Sequence, residues 1–427
     1  MRRMRPVVPI VFLIALLAGG GAGVAPRAAG QEACTTLARP DTLQALIDRA
    51  GRGDVICMTA GVYLGPVAFD SKTGVTLRGL GPKATVIVGG AKDGLLVFNS
   101  RDLVFEDFTL YLGNPTNAYV WRSQNINFAR IDAGGGVVGI HFDVGSIGRV
   151  SDSFVYAMSG DGVLVRRESN ATVERNWIID NGGVGVSTVG QTATTTIVRN
   201  IISHNRGPGV FAGQTPCALL PPAVVEIPEC YLSNLRGFVG DANIILDGNV
   251  IQSSGSTGIV MFPGTRGTFR NNHIWRNVLT GLFVWGASVT SEADEYDGNE
   301  EHAIEFRAFP DPTKYPQVRS GERIRASGSL NNNDIHDSVV LPDTGTLGGG
   351  VLAQGANLNL TNSRIYRNRG IGVSYVNTSL GRIENNEIFD NRGSAICIFQ
   401  AGNVITSGNS ARGNADDRAG VCRETTP

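Results

Sequence analysis

Asn176-Trp177-Ile178-Ile179-Asp180-Asn181 is answered by Asn200-Ile201-Ile202-Ser203-His204-Asn205, by Asn272-His273-Ile274-Trp275-Arg276-Asn277 and by Asn386-Glu387-Ile388-Phe389-Asp390-Asn391. The shared frame is Asn, one variable residue, Ile, two variable residues, Asn. It returns at a step of about 23 residues. Weaker copies stand at Asn249/Ile251/Ser254, Asn333/Ile335/Ser338 and Ser363/Ile365/Asn368; Asn409/Asn414 closes the series, and Asp107, Arg130 and Ser153 carry the step upstream. A fixed period of this size means stacked supersecondary units, none of which can bury its apolar face alone.

A second element repeats between these copies. It starts with Gly and alternates apolar with variable residues, as in Gly94 to Phe98, Gly139 to Asp143, Gly162 to Arg166, Gly258 to Phe262, Gly281 to Trp285, Gly350 to Gln354 and Gly372 to Val376. Alternation at period two belongs to strands with one face inward. The chain between copies is too short for a crossover helix, and the leucine scaffold of a horseshoe repeat is missing. A solenoid remains, one coil per repeat, each strand pairing with its equivalent in the next coil about 4.8 Å away. Asn side chains aligned at the corner then hydrogen bond along the stack.

On these repeats the chain resembles, over roughly residues 35–420, the right-handed parallel β-helix proteins of the pectin-lyase-like group. The expected fold is therefore all-β: a right-handed, single-stranded parallel β-helix. The segment from Thr42 to Pro66, with Leu43-Gln-Ala-Leu-Ile-Asp-Arg-Ala50 and Gly61-Val-Tyr-Leu-Gly-Pro66, adds to the resemblance. In that group such a segment starts with a short helix that plugs the open N-terminal end, here over 41–51. Asp41 with Gln44 reads as its N-cap and partner, and Leu43, Leu46, Ile47 and Ala50 as its apolar face. The resemblance also implies a carbohydrate ligand. It transfers no catalytic residue, because the polygalacturonase, alginate epimerase and pectate-lyase signatures are absent; His141-Phe142-Asp143 is a reversed Asp-Pro-His without the Pro.

Arg2, Arg3 and Arg5, an apolar run from Val7 to Ala18 and small residues up to Gly30 form a signal-peptide layout over 1–30, leaving one β-helix domain over 31–427. That implies export to the periplasm or outside a bacterial envelope, with no membrane span after removal of the leader. Six Cys in an exported chain point to disulfides, and pairing Cys34 with Cys57, Cys217 with Cys230 and Cys397 with Cys422 closes only local loops. No clustered His or Cys-x-x-Cys suggests a metal, so no cofactor is expected; calcium has no sequence support. A net charge of −1 offers no steering field for nucleic acid. The expected partner is a polysaccharide or surface glycan, and the expected state a monomer.

The period stretches at three places, read as insertions over 213–241, 308–326 and 339–347, although two ordinary coils could also fill the step from Asn200 to Asn249. The first two follow the same strand, about three coils or ~15 Å apart, and would wall a groove. Its floor is the outward positions of the Gly-led strand, an unusually aromatic column. Trp121, Phe211, Phe262, Phe283 and Trp285, with Glu305 and Arg307, are the expected substrate-binding residues, since aromatic faces stack on sugar rings while polar groups take the hydroxyls. The plain alternative is a minor core beneath the insertions.

His141, Asp143 and Arg166, with Tyr119 one coil below, form the expected catalytic group. A His beside a carboxylate can move a proton, an Arg can hold a substrate carboxylate, and Tyr119 can return a proton. Elimination or epimerisation next to a uronate carboxylate needs those functions. An ordinary ion-paired surface cluster is the alternative. Glu305 with Asp294 or Asp311 could instead supply the two carboxylates of a glycoside hydrolase. The leading expectation is an exported β-helix protein that binds polysaccharide along the aromatic face and acts as a lyase or epimerase on uronate polymers. Its rival is a non-enzymatic envelope protein that binds glycan or protein.

Overall fold

The computed structural model describes residues 33–190, 192–213, 241–309, 324–339 and 348–420. Residues 1–30, read as a leader, most of each expected insertion, and Cys217, Cys230, Cys422 and Asp311 lie outside the described residues. Contacts divide the chain into residues 1–33 and Cys34–Pro427, and the described fold belongs to the second unit.

That unit is a parallel β-solenoid with three strands per coil. Each strand pairs in register with its equivalents above and below, which gives three long sheets. Among the described residues sheet 1 has 15 strands and runs from Thr36–Ala38 to Val404–Ser407; sheet 2 has 14, from Val67–Asp70 to Asp416–Gly420; sheet 3 has 14, from Gly61–Leu64 to Ser410–Arg412. One coil reads Val138–Asp143 in sheet 2, Ile147–Ser151 in sheet 1, Phe154–Tyr156 in sheet 3, then Val163–Arg166 in sheet 2 again. The short Asn-x-Ile element is the sheet 3 strand with its two corners.

The repeat residues hold the stack from within. Ile178, Ile202, Ile251, Ile274, Tyr296, Ile335, Ile365 and Ile388 form one registered column, each fully buried. The two Asn of the frame serve two separate ladders, one at each end of the sheet 3 strand. At the first corner the Oδ1 of Asn200 accepts from the backbone N (2.8 Å) and Nδ2 (3.0 Å) of Asn176, and the pattern passes to Asn249 and Asn272. At the second corner Asn205 serves Asn181 in the same way at 3.1 and 2.9 Å. Every amide thus pairs a buried backbone N–H that would otherwise be orphaned. The leading Gly of the sheet 2 element is a matter of space. A Cβ on Gly162 would lie 2.7 Å from Ile178 Cγ2, 2.7 Å from the Gly185 carbonyl and 3.0 Å from Asn181 Nδ2.

Several expectations change. The first ladder continues upstream of Ser153 through Ile131, whose backbone N donates to Ser153 Oγ at 3.0 Å. Asp107 and Arg130 sit one residue earlier, at φ of 62° and 55°, in the left-handed bend that precedes each ladder residue, and pair with each other at 2.6 Å. The step from Asn200 to Asn249 is a single coil, because the two side chains meet directly. The helix spans Leu43–Arg49 rather than 41–51, and its N-cap is Thr42 without a side-chain cap bond. Gln44 is not a capping partner of Asp41. Its Oε1 accepts from the Ala68 backbone N at 2.9 Å and its Nε2 donates to the Ala68 carbonyl at 2.9 Å, so it completes the free edge of sheet 2. Leu43 and Ile47 are buried, with Leu46 and Ala50 packed against the core as expected. Cys34 and Cys57 form the expected disulfide, with Cα atoms 5.7 Å apart, and Cys397 is also disulfide-bonded.

One coil breaks the ladder chemistry. Asp294 takes an Asn position, where its Oδ1 accepts from the Asn272 backbone N and Nδ2, both at 2.8 Å, and its Oδ2 from Ser291 Oγ at 2.7 Å. No cation touches it among the described contacts, and burial pushes its carboxyl up to about 6 despite those bonds. A pKa raised on folding stabilises fully below the unfolded value near 4 and loses that contribution as pH climbs through 6, on the order of 3 kcal/mol. Asp294→Asn should therefore raise stability at pH 7 by roughly 1 to 3 kcal/mol, with no gain below about pH 4. Urea midpoints for both proteins across pH 3–8 check this; curves that stay parallel would refute it.

Candidate active site

Sheet 2 carries the outward column predicted from alternation. Tyr119 pairs with His141 and Trp121 with Asp143, and His141 pairs with Leu164 one coil further on. Their inward neighbours Val120, Phe142 and Val165 are fully buried, which leaves the alternate side chains only the outer face. His141 and Asp143 are nonetheless covered, at 8% and 1% exposure.

Arg167 supplies the cover. It follows the strand Val163–Arg166 in the left-handed region, at φ 42°, and turns back over the coil before it. Its Nε donates to Asp143 Oδ1 at 2.8 Å and its Nη2 to Oδ2. Oδ1 also accepts from the Val144 backbone N at 3.0 Å, and Oδ2 from the Tyr119 hydroxyl at 3.1 Å. His141 Nε2 lies 3.8 Å from Oδ2, too far for a hydrogen bond, and is buried without a partner. A buried imidazole nitrogen left open beside a saturated carboxylate is uncommon in a folded protein.

The electrostatics follow from this packing. Burial lowers His141 to about 4, aided by Arg166 and Arg167 and opposed by Asp143, so the imidazole is neutral at pH 7. Burial would raise Asp143, but the Arg167 fork and the charges of Arg167 and Arg166 outweigh it and hold the carboxyl below its ordinary value. Burial and the Asp143 charge push Tyr119 up to about 12, keeping its proton in place. The site thus holds a neutral base, a fixed carboxylate and a protonated phenol.

The expected group is therefore assembled with one change: Arg167 grips Asp143, while Arg166 adds positive charge from the next coil. Alternation could not reveal Arg167, because it ends where the strand does. A signal existed nevertheless, since Asn99, Arg122, Val144 and Arg167 follow successive sheet 2 strands at the same step and share positive φ. Beside the site, the Arg122 guanidinium stands 4.2 Å over the Trp121 ring, and Phe98 meets Trp121 edge-on at 6.2 Å.

The upper part of the column is different. Its middle lies five strand pairings from His141, roughly 24 Å along the stack. Phe211, Phe262, Trp285 and Phe309 form a chain of edge-on contacts at 5.1, 5.5 and 4.6 Å. Trp285 Nε1 donates to the Ala308 carbonyl at 3.0 Å, and buried Phe309 pairs antiparallel with Ile324. Trp285 and Phe262 thus pack as a minor core. Phe283, half-buried, has the Arg307 guanidinium 6.0 Å from its ring, and Arg307 pairs with buried Glu305. Asp294 cannot join Glu305 as a hydrolytic pair, because it belongs to the inner ladder.

Two surfaces escaped sequence reasoning. A depression of about 390 Å³ on sheet 1 is lined by Thr268, Ser288, Thr290, Ser327, Ser329 and Asn359 among others. On sheet 3, His336, Tyr366 and Phe389 stack at 4.7 Å per step. Asp297, His336 and Asp337 bring their ligand atoms within 4.8 Å of one another there, but His336 Nδ1 lies 2.7 Å from an Asp337 carboxylate that Arg367 already grips. That donor set is satisfied internally.

These differences predict unequal outcomes for the two tryptophans. Trp285→Ala should lower stability by roughly 3 kcal/mol, because it empties a packed cluster. Trp121→Ala should cost less than about 1 kcal/mol of stability, because its ring meets Phe98 and the Arg122 guanidinium at the surface. Thermal unfolding of both variants separates these effects; equal losses of stability would overturn the distinction.

The A-modules of two mannuronan C-5 epimerases of Azotobacter vinelandii share the fold. AlgE4 is 15% identical, with 90% of this chain and 96% of that chain covered at a TM-score of 0.52. AlgE6 is 17% identical, with 87% and 94% covered at 0.53. A search of the curated proteins found no match to this sequence. The model of the right-handed beta helix region matches residues 83–218 and 299–424, more than half of the chain, and on that match the protein belongs to the right-handed β-helix family.

Proposed function

We propose that this protein binds an acidic polysaccharide along sheet 2 and moves a proton at the carbon next to a uronate carboxylate, as a lyase or epimerase. The observation that carries the reading is the buried, unpartnered Nε2 of His141 beside the saturated Asp143 carboxylate. A general base needs a neutral nitrogen with no bond to give up; His141 Nε2 makes none, and substrate has to displace the side chains that cover it to come within reach. Removing the proton next to the carboxylate builds negative charge on that carboxylate. Arg166, whose charge acts on His141, Asp143 and Tyr119, is the group proposed to offset it. Tyr119 keeps its proton until about pH 12 and is the acid. Returning that proton to the carbanion from the opposite face inverts the centre, whereas passing it to the departing glycosidic oxygen leaves a double bond. Both routes conserve atoms and electrons and need no oxidant.

The two epimerase modules support the reading through their shared scaffold and named activity. The leader-like start and the Cys34–Cys57 disulfide support a location outside the reducing cytoplasm. Among the described residues no helix is long and apolar enough to cross a membrane.

The test is incubation of the mature protein with a panel of uronate polymers in deuterated buffer. Ultraviolet absorbance reports elimination and loss of the H5 signal reports epimerisation. His141→Ala should abolish turnover and retain polymer binding. Because the base acts in its neutral form, kcat/KM should rise through about pH 4, where His141 loses its proton, and stay level through the neutral range. Wild-type activity in His141→Ala would sink the mechanism. Binding without turnover of any polymer would leave a glycan-binding envelope protein as the better account.

A further inference from the structure

We propose that Arg167 is a positioning residue: by gripping both oxygens of Asp143 it keeps that carboxylate off His141, so that the buried Nε2 stays unbonded. This rests on the proton-transfer reading for its purpose, but its geometry stands alone. His141 and Asp143 are two residues apart on one strand and point the same way, so their side chains can reach one another. The structure shows instead a 3.8 Å gap. The carboxylate is held from outside by the Arg167 fork, from below by the Tyr119 hydroxyl and at its own turn by the Val144 N–H. Among these only the Arg167 fork takes both oxygens and comes from beyond the next coil's strand, which directs the carboxylate away from the ring.

The groups facing His141 can be enumerated. Tyr119 lies on the strand below, its ring 5.1 Å from the imidazole; Asp143 shares the strand; Leu164 is its apolar partner above; Arg166 and Arg167 contribute charge from the next coil. Asp143 alone favours the imidazolium, and its effect is opposed by burial and both arginines. Loss of Arg167 removes one opposing charge and frees Asp143 to turn toward Nε2. Both changes act in the same direction, toward a His141 that takes up its proton at higher pH.

The experiment follows the imidazole directly. The whole protein, labelled at histidine Cε1, is titrated by NMR, and the His141 resonance is identified by its absence in His141→Gln. In the wild type it should show no protonation above about pH 5. In Arg167→Ala its midpoint should move up by about 2 pH units. Arg167→Lys, which supplies the charge without the fork, should move it part of the way. In Arg167→Ala combined with Asp143→Asn the midpoint should fall back to near its wild-type value, because the freed carboxylate is gone. If Arg167→Ala fails to keep the β-helix circular dichroism spectrum, the Lys variant decides: an intermediate midpoint supports the proposal and a wild-type midpoint overturns it. An unmoved midpoint in a folded Arg167→Ala, or a rise that persists with Asp143→Asn, also overturns it. Should the midpoint move as expected while no polymer is turned over, the positioning role stands and the catalytic reading fails.

Discussion

Everything in this protein depends on stacking equal coils at one strand spacing, about 4.8 Å, with no freedom for a coil to slip. The Ile column alone would permit slippage, since apolar contacts are non-directional. The two amide ladders remove that freedom. Each ladder Oδ1 accepts from a backbone N–H and, where the next residue is Asn, from its amide as well, so a shift by one residue would orphan a buried donor in every coil. The same ladders account for the Gly at the head of the sheet 2 strand, where amide, Ile methyl and the next coil's carbonyl leave no room for a Cβ.

Rigid registration turns one-dimensional spacing into site geometry. Residues two apart on a strand face the same way, and residues one repeat apart lie one strand spacing apart. His141, Asp143 and Tyr119 are brought together by those two rules alone. The left-handed bend after the sheet 2 strand adds a third route, by which Arg167 crosses back over the coil beneath. A solenoid can thus build a convergent polar site without a cavity between domains, provided that a corner residue folds over the face.

Two aspartates show how far local context governs charge in such a scaffold. Asp143 and Asp294 are almost equally inaccessible and both accept several hydrogen bonds. Asp143 faces a guanidinium fork and is held below its ordinary pKa, whereas Asp294 sees only amides and a hydroxyl and rises to about 6. At Asp294 the neutral donors do not offset burial, whereas at Asp143 the Arg167 fork does.

The sequence by itself determined the architecture, because the period, the strand alternation and the placement of Ile, Asn and Gly express the same stacking rule in every coil. It therefore also determined the outward column and the meeting of His141, Asp143 and Tyr119. The tertiary structure decided what the repeat does not encode. It placed the two Asn of the frame in separate ladders, made the Asn200 to Asn249 step one coil, and turned Gln44 from a cap into an edge partner. It assigned Trp285 to a minor core by way of Phe309, a residue outside the repeat. It gave Arg167 rather than Arg166 the grip on Asp143, because a side chain after the last strand residue is directed by the backbone bend and not by alternation. Periodic positions are legible in one dimension since their neighbours are known in advance, while corner and insertion residues acquire neighbours only when the chain closes on itself.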